Sequence, residues 1–350
     1  MRIEAGHRKA CLGLWLSVAG SLACHSESGE YFAVWSAEPG GYRIESRCLS
    51  SLDDPVAMSG ELGRIRSGGW LEQDEAGEIV HHLGSDLELS YHGHEGTLWP
   101  LDTEGLILLS FWAHLEDSRA RIQDVGLQAA ELPAVEVAYG PRIPDWSMEL
   151  FPFENAAYMP GAHLLFVLPE FEREGIPLAA NRGVVAHEWG HAVFHELIHG
   201  DPWTVPSENP GTERALYLSA LHEGFADAMS ALLFEDPRFL DASLDIPARR
   251  LDQRLLLSDV QTPEEYQASE EFQLFYDPYP LGSVIASWYW ALSQGSSSRD
   301  EVLLLLEAGG RALAEDLDDK GGWNEGLRWR MLEGSLDAAE PSLRTLGCSL

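Results

Sequence analysis

The densest chemistry in this chain is packed into five residues, His187-Glu188-Trp189-Gly190-His191, set in an apolar-flanked helical pattern. Histidines four apart on an α-helix stand on one face, roughly 6 Å apart along the axis. Two imidazoles so placed can reach one Zn²⁺ at about 2.0–2.1 Å. Glu188 follows the first histidine, where a carboxylate serves as general base for a water that the metal polarises and does not itself bind the metal. Such a centre needs a third protein ligand and an open position. The segment Leu221-His222-Glu223-Gly224-Phe225-Ala226-Asp227 offers the ligand. Glu223 and Asp227 share a helix face. Glu223 can complete a His₂Glu site, and Asp227 can accept the free ring N–H of a ligating histidine, fixing its tautomer.

Other histidines fit less well. His195 and His199 continue the ladder after His191, but His195 lies about 12 Å along the axis from His187, too far for one tetrahedral ion. Both are expected on the helix surface or in its last turn. His222 points about 100° away from Glu223 around a helix, which assigns it a structural or substrate-side place. His92 and His94 fall in a Gly-rich polar stretch and read as a solvated turn.

HExxH followed by E-x-x-x-D resembles the gluzincin zinc metallopeptidases, the thermolysin-like and fungalysin-like group. The resemblance implies zinc held by His187, His191 and Glu223, with Glu188 as base and Asp227 as the partner of His187. It implies an α+β fold: a thermolysin-like catalytic domain, with an antiparallel edge sheet before the HExxH helix and a mostly helical C-terminal lobe. Asn155-Ala156 matches the family's N-A-x-aromatic segment, which holds an extended peptide as an added strand. Asp277 to Ala286 is similar to the family's helix that follows its oxyanion-stabilising histidine. The likeness covers roughly residues 100–295 and is specific at 187–191 and 223–227. Two departures stand out. The interval from His191 to Glu223 is longer than in thermolysin-like enzymes, so Asp201–Gly211 reads as an insertion. No histidine follows His222, and Pro278 stands where the family's histidine would be; Tyr279, or else Tyr276, is left to donate to a developing oxyanion. A metzincin would need glycine at 194 and histidine at 197, where this chain has Phe194 and Leu197.

The ends add a cellular setting. Arg2, Arg8 and Lys9 precede an apolar run from Ala10 to Ala23, which reads as an export signal over residues 1–23 and is too short to span a bilayer. Ser21-Leu22-Ala23-Cys24 offers a lipid-attachment cysteine as in bacterial lipoproteins; ordinary cleavage after Ala23 is the other outcome. The destination is then the bacterial cell envelope or the medium. With Cys11 in the leader and Cys24 lipidated, Cys48 and Cys348 remain as a disulfide pair; an unmodified Cys24 would instead be free to bridge Cys48. The formal net charge of −34, with lysine only at 9 and 320, gives no footprint for nucleic acid or anionic lipid. Past the leader no apolar run is long enough for a membrane span.

The elements that must position these residues follow from periodicity. Residues 24–97 are expected to form a β-rich N-terminal region, with strands at 31–35 and 86–91, and residues 98–350 the zinc metallopeptidase domain. A long helix is expected over 103–128, strands over 134–139 and 164–168, and the HExxH helix from Asn181, its N-cap, to His199, with Gly200 ending it. A second helix over 212–234 presents Glu223 and Asp227, and helices follow near 251–259, 263–272, 281–293, 298–316 and 325–338. These expectations converge on an exported zinc metallopeptidase acting on a peptide or protein, as an endopeptidase because the aminopeptidase signature G-x-M-E-N is missing. The alternative is an inactive zinc-binding surface lipoprotein that binds a protein partner.

Overall fold

Polar residues placed to cap them set where the helices of this chain begin. Asp102 accepts from the Gly105 N–H at 2.7 Å, Asn181 from Gly183 at 2.9 Å and Thr212 from Ala215 at 3.2 Å. Thr262 with Glu265, and Ser298 with Glu301, form reciprocal capping boxes. The computed structural model describes residues 30–38, 41–73, 79–127, 132–144, 150–152, 155–159, 163–167, 175–200, 212–253, 255–268, 276–295 and 297–318. In order these form β1 (Tyr31–Glu38), β2 (Gly41–Cys48), β3 (Leu52–Asp54), β4 (Ser59–Gly60), β5 (Gly63–Gln73), β6 (Ile79–Asp86), β7 (Tyr91–His94), β8 (Thr97–Pro100), α1 (Thr103–Val125), β9 (Val135–Tyr139), β10 (Arg142–Pro144), β11 (Leu150–Pro152), β12 (Ala157–Met159), β13 (Leu164–Val167), α2 (Arg182–His199), α3 (Glu213–Phe234), α4 (Pro263–Ala268), α5 (Tyr279–Ser293) and α6 (Arg299–Asp318).

The chain is a mixed α and β protein. A small sheet has the order β2-β1-β8-β7, and a larger one carries β11-β10-β5-β9-β13-β12 along its main path. In the larger sheet β9 runs parallel to both β5 and β13, while β12 pairs antiparallel with β13 at the edge. The central pairing of β5 with β9 joins residues before 97 to residues after it. The division at 97 is therefore no break in the sheet.

Helix α1 is apolar on nearly every side from Ile107 to Leu115 and is correspondingly buried. One core runs from β1 across α1 to α2, α3 and α5. Two close approaches tie the last three helices together. A Cβ added at Gly190 would lie 2.9 Å from the Ala226 Cα, and one at Gly224 would lie 2.6 Å from the Gly282 carbonyl oxygen. The α2–α3 and α3–α5 seams thus need glycine for backbones to touch.

Several expectations change. Among the described residues of 251–259 there is no α-helix: turns lead to a 3₁₀ turn at Leu257–Asp259. Leu251 is buried, and its neighbours reach away from it, Arg250 to Asp241 and Asp245 and Asp252 to Arg238. Residues 87–90 are not a strand, although Leu87 is buried; β6 ends at Asp86, and Leu89 makes a lone bond to the Val56 carbonyl. Helix α5 starts at Tyr279, two residues early, because Asp277 accepts the Tyr279 N–H. His92 and His94 lie on β7, exposed, and the turn follows them at Glu95–Gly96, both with positive φ. The leader, Cys24, Asp201–Gly211, 325–338 and Cys348 lie outside the described residues. Cys48 is disulfide-bonded, to a partner outside them. No described helix is long and apolar enough to cross a membrane.

Candidate metal centre

Helix α2 brings His187, Glu188 and His191 to the floor of a cleft of about 250 Å³, and α3 brings Glu223 to the same floor. Both helices run as the capping residues predict. The Nε2 atoms of His187 and His191 are 3.0 Å apart, and Glu223 Oε2 lies 3.5 Å from the first and 3.6 Å from the second. A tetrahedral ion with bonds of about 2.0–2.1 Å separates its ligand atoms by roughly 3.3–3.4 Å. The triangle fits that spacing. Glu223 Oε2 is moreover buried and makes no hydrogen bond, the state of an oxygen that a cation would satisfy. His187, His191 and Glu223 could therefore hold a metal ion.

His187 is held from behind. Its Nδ1 is 2.9 Å from Asp227 Oδ1, which favours the proton on Nδ1 and leaves Nε2 the nitrogen that could meet an ion. Burial and Arg249 oppose a charge on His187, yet Asp227 and Glu223 raise its pKa to about 9. Burial, reinforced by His222, His187 and Arg249, holds His191 well below the ordinary value. Asp227 is completely buried; burial alone would raise it, but Arg249 and His187 keep it below the usual carboxylate range.

Glu188 sits beside the triangle. Burial raises its pKa to about 7, partly opposed by His187 and by the backbone N–H of Tyr158, which it accepts. Its Oε2 is buried and without a hydrogen bond. A base poised near neutrality with one oxygen uncommitted can take a proton from a water in the cleft.

The cleft's walls come from farther away. Asn155, Ala156 and Tyr158 line one side next to the β12 edge, and Tyr279 lines another. Tyr279, at the start of α5, has its phenol pushed up by burial and by Glu223. Tyr276 makes a long bond to the Gln261 carbonyl and is absent from the cleft lining. His222 belongs to the wall, as a structural partner of His191: its Nε2 lies 3.2 Å from the His191 carbonyl and its ring centre 4.2 Å from that of His191. His195 is not on the helix surface. It is buried, its ring centre 6.1 Å from that of Tyr158, because β12 passes over that side of α2.

Arg249 carries no sequence signal of its own. It ends a short 3₁₀ turn, Pro247–Arg249, and lines the cleft. Its Nη2 donates to Asp227 Oδ1 and its Nε to Oδ2, and its Cζ lies 4.5 Å from the centre of the Tyr279 ring. The available signal is indirect: a buried aspartate behind a histidine of the HExxH helix needs a cation, and lysine is nearly absent from the chain. No family model matches this chain, and no curated protein matches it either.

Proposed function

We propose that the chain is an exported zinc metallopeptidase of gluzincin type, with a thermolysin-like catalytic region and endopeptidase action. The observation that carries this reading is the His187–His191–Glu223 triangle with the uncommitted Glu188 carboxylate beside it, opening on a cleft bordered by a sheet edge. His187, His191 and Glu223 would hold the ion. Bound there, zinc supplies Lewis-acid polarisation of a scissile carbonyl and brings the pKa of water to about 7.

The chain's own residues do the rest. Glu188 takes the water's proton and passes it to the leaving amine. Asn155 and the backbone leading into β12 hold the peptide extended along the edge. The Tyr279 hydroxyl donates to the carbonyl oxygen as negative charge builds on it. Asp227 keeps His187 in its ligating tautomer. The competing idea, an inactive zinc-binding lipoprotein, draws on the missing histidine after His222. A tyrosine lining the cleft weighs against it.

The test is peptide hydrolysis by wild type and Glu188→Gln, with zinc measured in both. Glu188→Gln should keep its zinc and lose about 10²–10⁴ in kcat. Equal turnover in the two removes Glu188 from the chemistry, and a wild type that binds zinc but cleaves nothing favours the lipoprotein. Export and attachment through Cys24 belong to the same proposal, and mass analysis of the mature N-terminus distinguishes a lipidated Cys24 from plain cleavage after Ala23.

A further inference from the structure

We infer that His163 is a positioning residue for Glu188 and works through Tyr158: the His163 ring holds the Tyr158 hydroxyl, and the Tyr158 backbone N–H holds the Glu188 carboxylate. The inference deepens the reading above and rests on it for the role of Glu188 as base.

Helix α2 fixes where the Glu188 side chain starts, but several rotatable bonds separate the carboxylate from the backbone. One oxygen accepts from the Tyr158 N–H, and Oε2 is buried without a hydrogen bond. Where β12 sits over α2 therefore decides where this carboxylate points. By its ladder β12 is weakly held. It is the last strand of the larger sheet and pairs only with β13 among the described strands, Ala157–Met159 against Leu164–Phe166.

The Tyr158 side chain adds an anchor. Its hydroxyl lies 3.1 Å from His163 Nδ1, both residues being buried, and the two rings meet edge-on at 81°. His163 Nε2 lies 3.0 Å from the Pro133 carbonyl. A carbonyl only accepts, which favours the proton on Nε2 and leaves Nδ1 to accept from the hydroxyl. Burial pushes the Tyr158 phenol up and the His163 imidazole down, so both groups are held in their neutral forms. The His163 carbonyl accepts from the Glu136 N–H at 3.3 Å. Both anchors of His163 belong to the chain at the start of β9, beyond β13. His163 has a φ of 47°, a left-handed conformation that a residue with a side chain keeps only where its surroundings hold it. On its other side the Tyr158 ring centre lies 6.1 Å from that of His195 on α2. One side chain thus ties the edge strand to the sheet and to the helix that carries Glu188.

Two measurements on the full chain test this, with Tyr158→Phe, His163→Leu, His163→Asn and the Tyr158→Phe/His163→Leu double variant. The first is exchange of single backbone amides, read by mass spectrometry with electron-transfer fragmentation. The Tyr158 amide should be protected in wild type. It should lose protection in Glu188→Ala, Tyr158→Phe and His163→Leu, more than the amides of Ala157 and Met159 do. The second is peptide hydrolysis per bound zinc. Tyr158→Phe and His163→Leu should each lower kcat by up to about 10²-fold, with KM and zinc content nearly unchanged. His163→Asn should recover part of the loss, since asparagine returns an acceptor and enters the left-handed region readily. The double variant should be no worse than the worse single one, because both act through one chain of bonds. Folded Tyr158→Phe with wild-type protection and kcat overturns the inference, as do additive losses or a His163→Asn no better than His163→Leu. A wild type that binds zinc, cleaves nothing and loses Tyr158 protection on His163→Leu defeats the peptidase reading and leaves the positioning of Glu188 standing. An unprotected Tyr158 amide in wild type defeats the inference at any level of activity.

Discussion

The floor and the rim of the cleft are made in different ways. The floor is two helix faces: His187 and His191 are four apart on α2, Glu223 and Asp227 four apart on α3. The rim comes from Asn155 and Ala156 ahead of β12, Arg249 at the end of a 3₁₀ turn and Tyr279 at the first residue of α5. Floor geometry is local, set by helical rise and by one seam between two helices. Rim geometry exists only once distant segments have docked. Substitutions in the floor should therefore abolish the site, while those in the rim should tune it.

His191→Ala cuts deepest. Zinc should fall from one ion per chain to near none and hydrolysis to background, read by metal analysis of purified protein; equal zinc in both proteins breaks the division at its centre. On the rim, Tyr279→Phe should lower kcat by about 10²–10³, roughly 2.7–4 kcal/mol, with zinc and KM nearly unchanged. Wild-type turnover in Tyr279→Phe with a crippled Tyr276→Phe would move the donor.

A support beneath the floor should act on stability. His114 on α1 is fully buried, with its Nε2 3.1 Å from the Ala180 carbonyl, one residue before the α2 cap. Burial, helped by Arg182 and Arg47 and opposed by Asp117, lowers its pKa to about 4. The folded state thus disfavours the proton. Its contribution is full above the unfolded value near 6.5, shrinks as pH falls, and is lost by about pH 4, a change of roughly 3 kcal/mol. Urea unfolding from pH 7 to 4 should show this slope in wild type and a flatter one in His114→Gln; parallel slopes assign acid sensitivity elsewhere. Asn155→Ala should be the mildest, raising KM about fivefold for one lost hydrogen bond of about 1 kcal/mol; a fall in kcat alone would place Asn155 in the chemistry.

The same contrast explains what the amino-acid sequence discloses. Asn181, Gly200 and Thr212 bound α2 and α3 by local capping, and i, i+4 spacing puts His187 with His191, and Glu223 with Asp227, on one face, so the floor is legible. Nothing local marks Arg249, which ends a 3₁₀ turn between α3 and α4; its contact with the buried Asp227 exists only in the folded chain. His195 departs from its expected surface position for a related reason. Helical spacing tells which residues share a face but not how many faces are covered, and β12 covers a second one. The 251–259 pattern gives way to turns at a buried Leu251, where tertiary packing overrides a weak propensity.

The glycine seams reach further than their chemistry. Gly190, Gly224 and Gly282 offer no reactive atom, yet a methyl group on any of them would meet a neighbouring backbone inside 3 Å. In a library of variants scored by turnover, these three should sort with His191 and Glu188 and look catalytic. Scored by soluble yield, they will part from His191 and Glu188, whose loss leaves the helices packed.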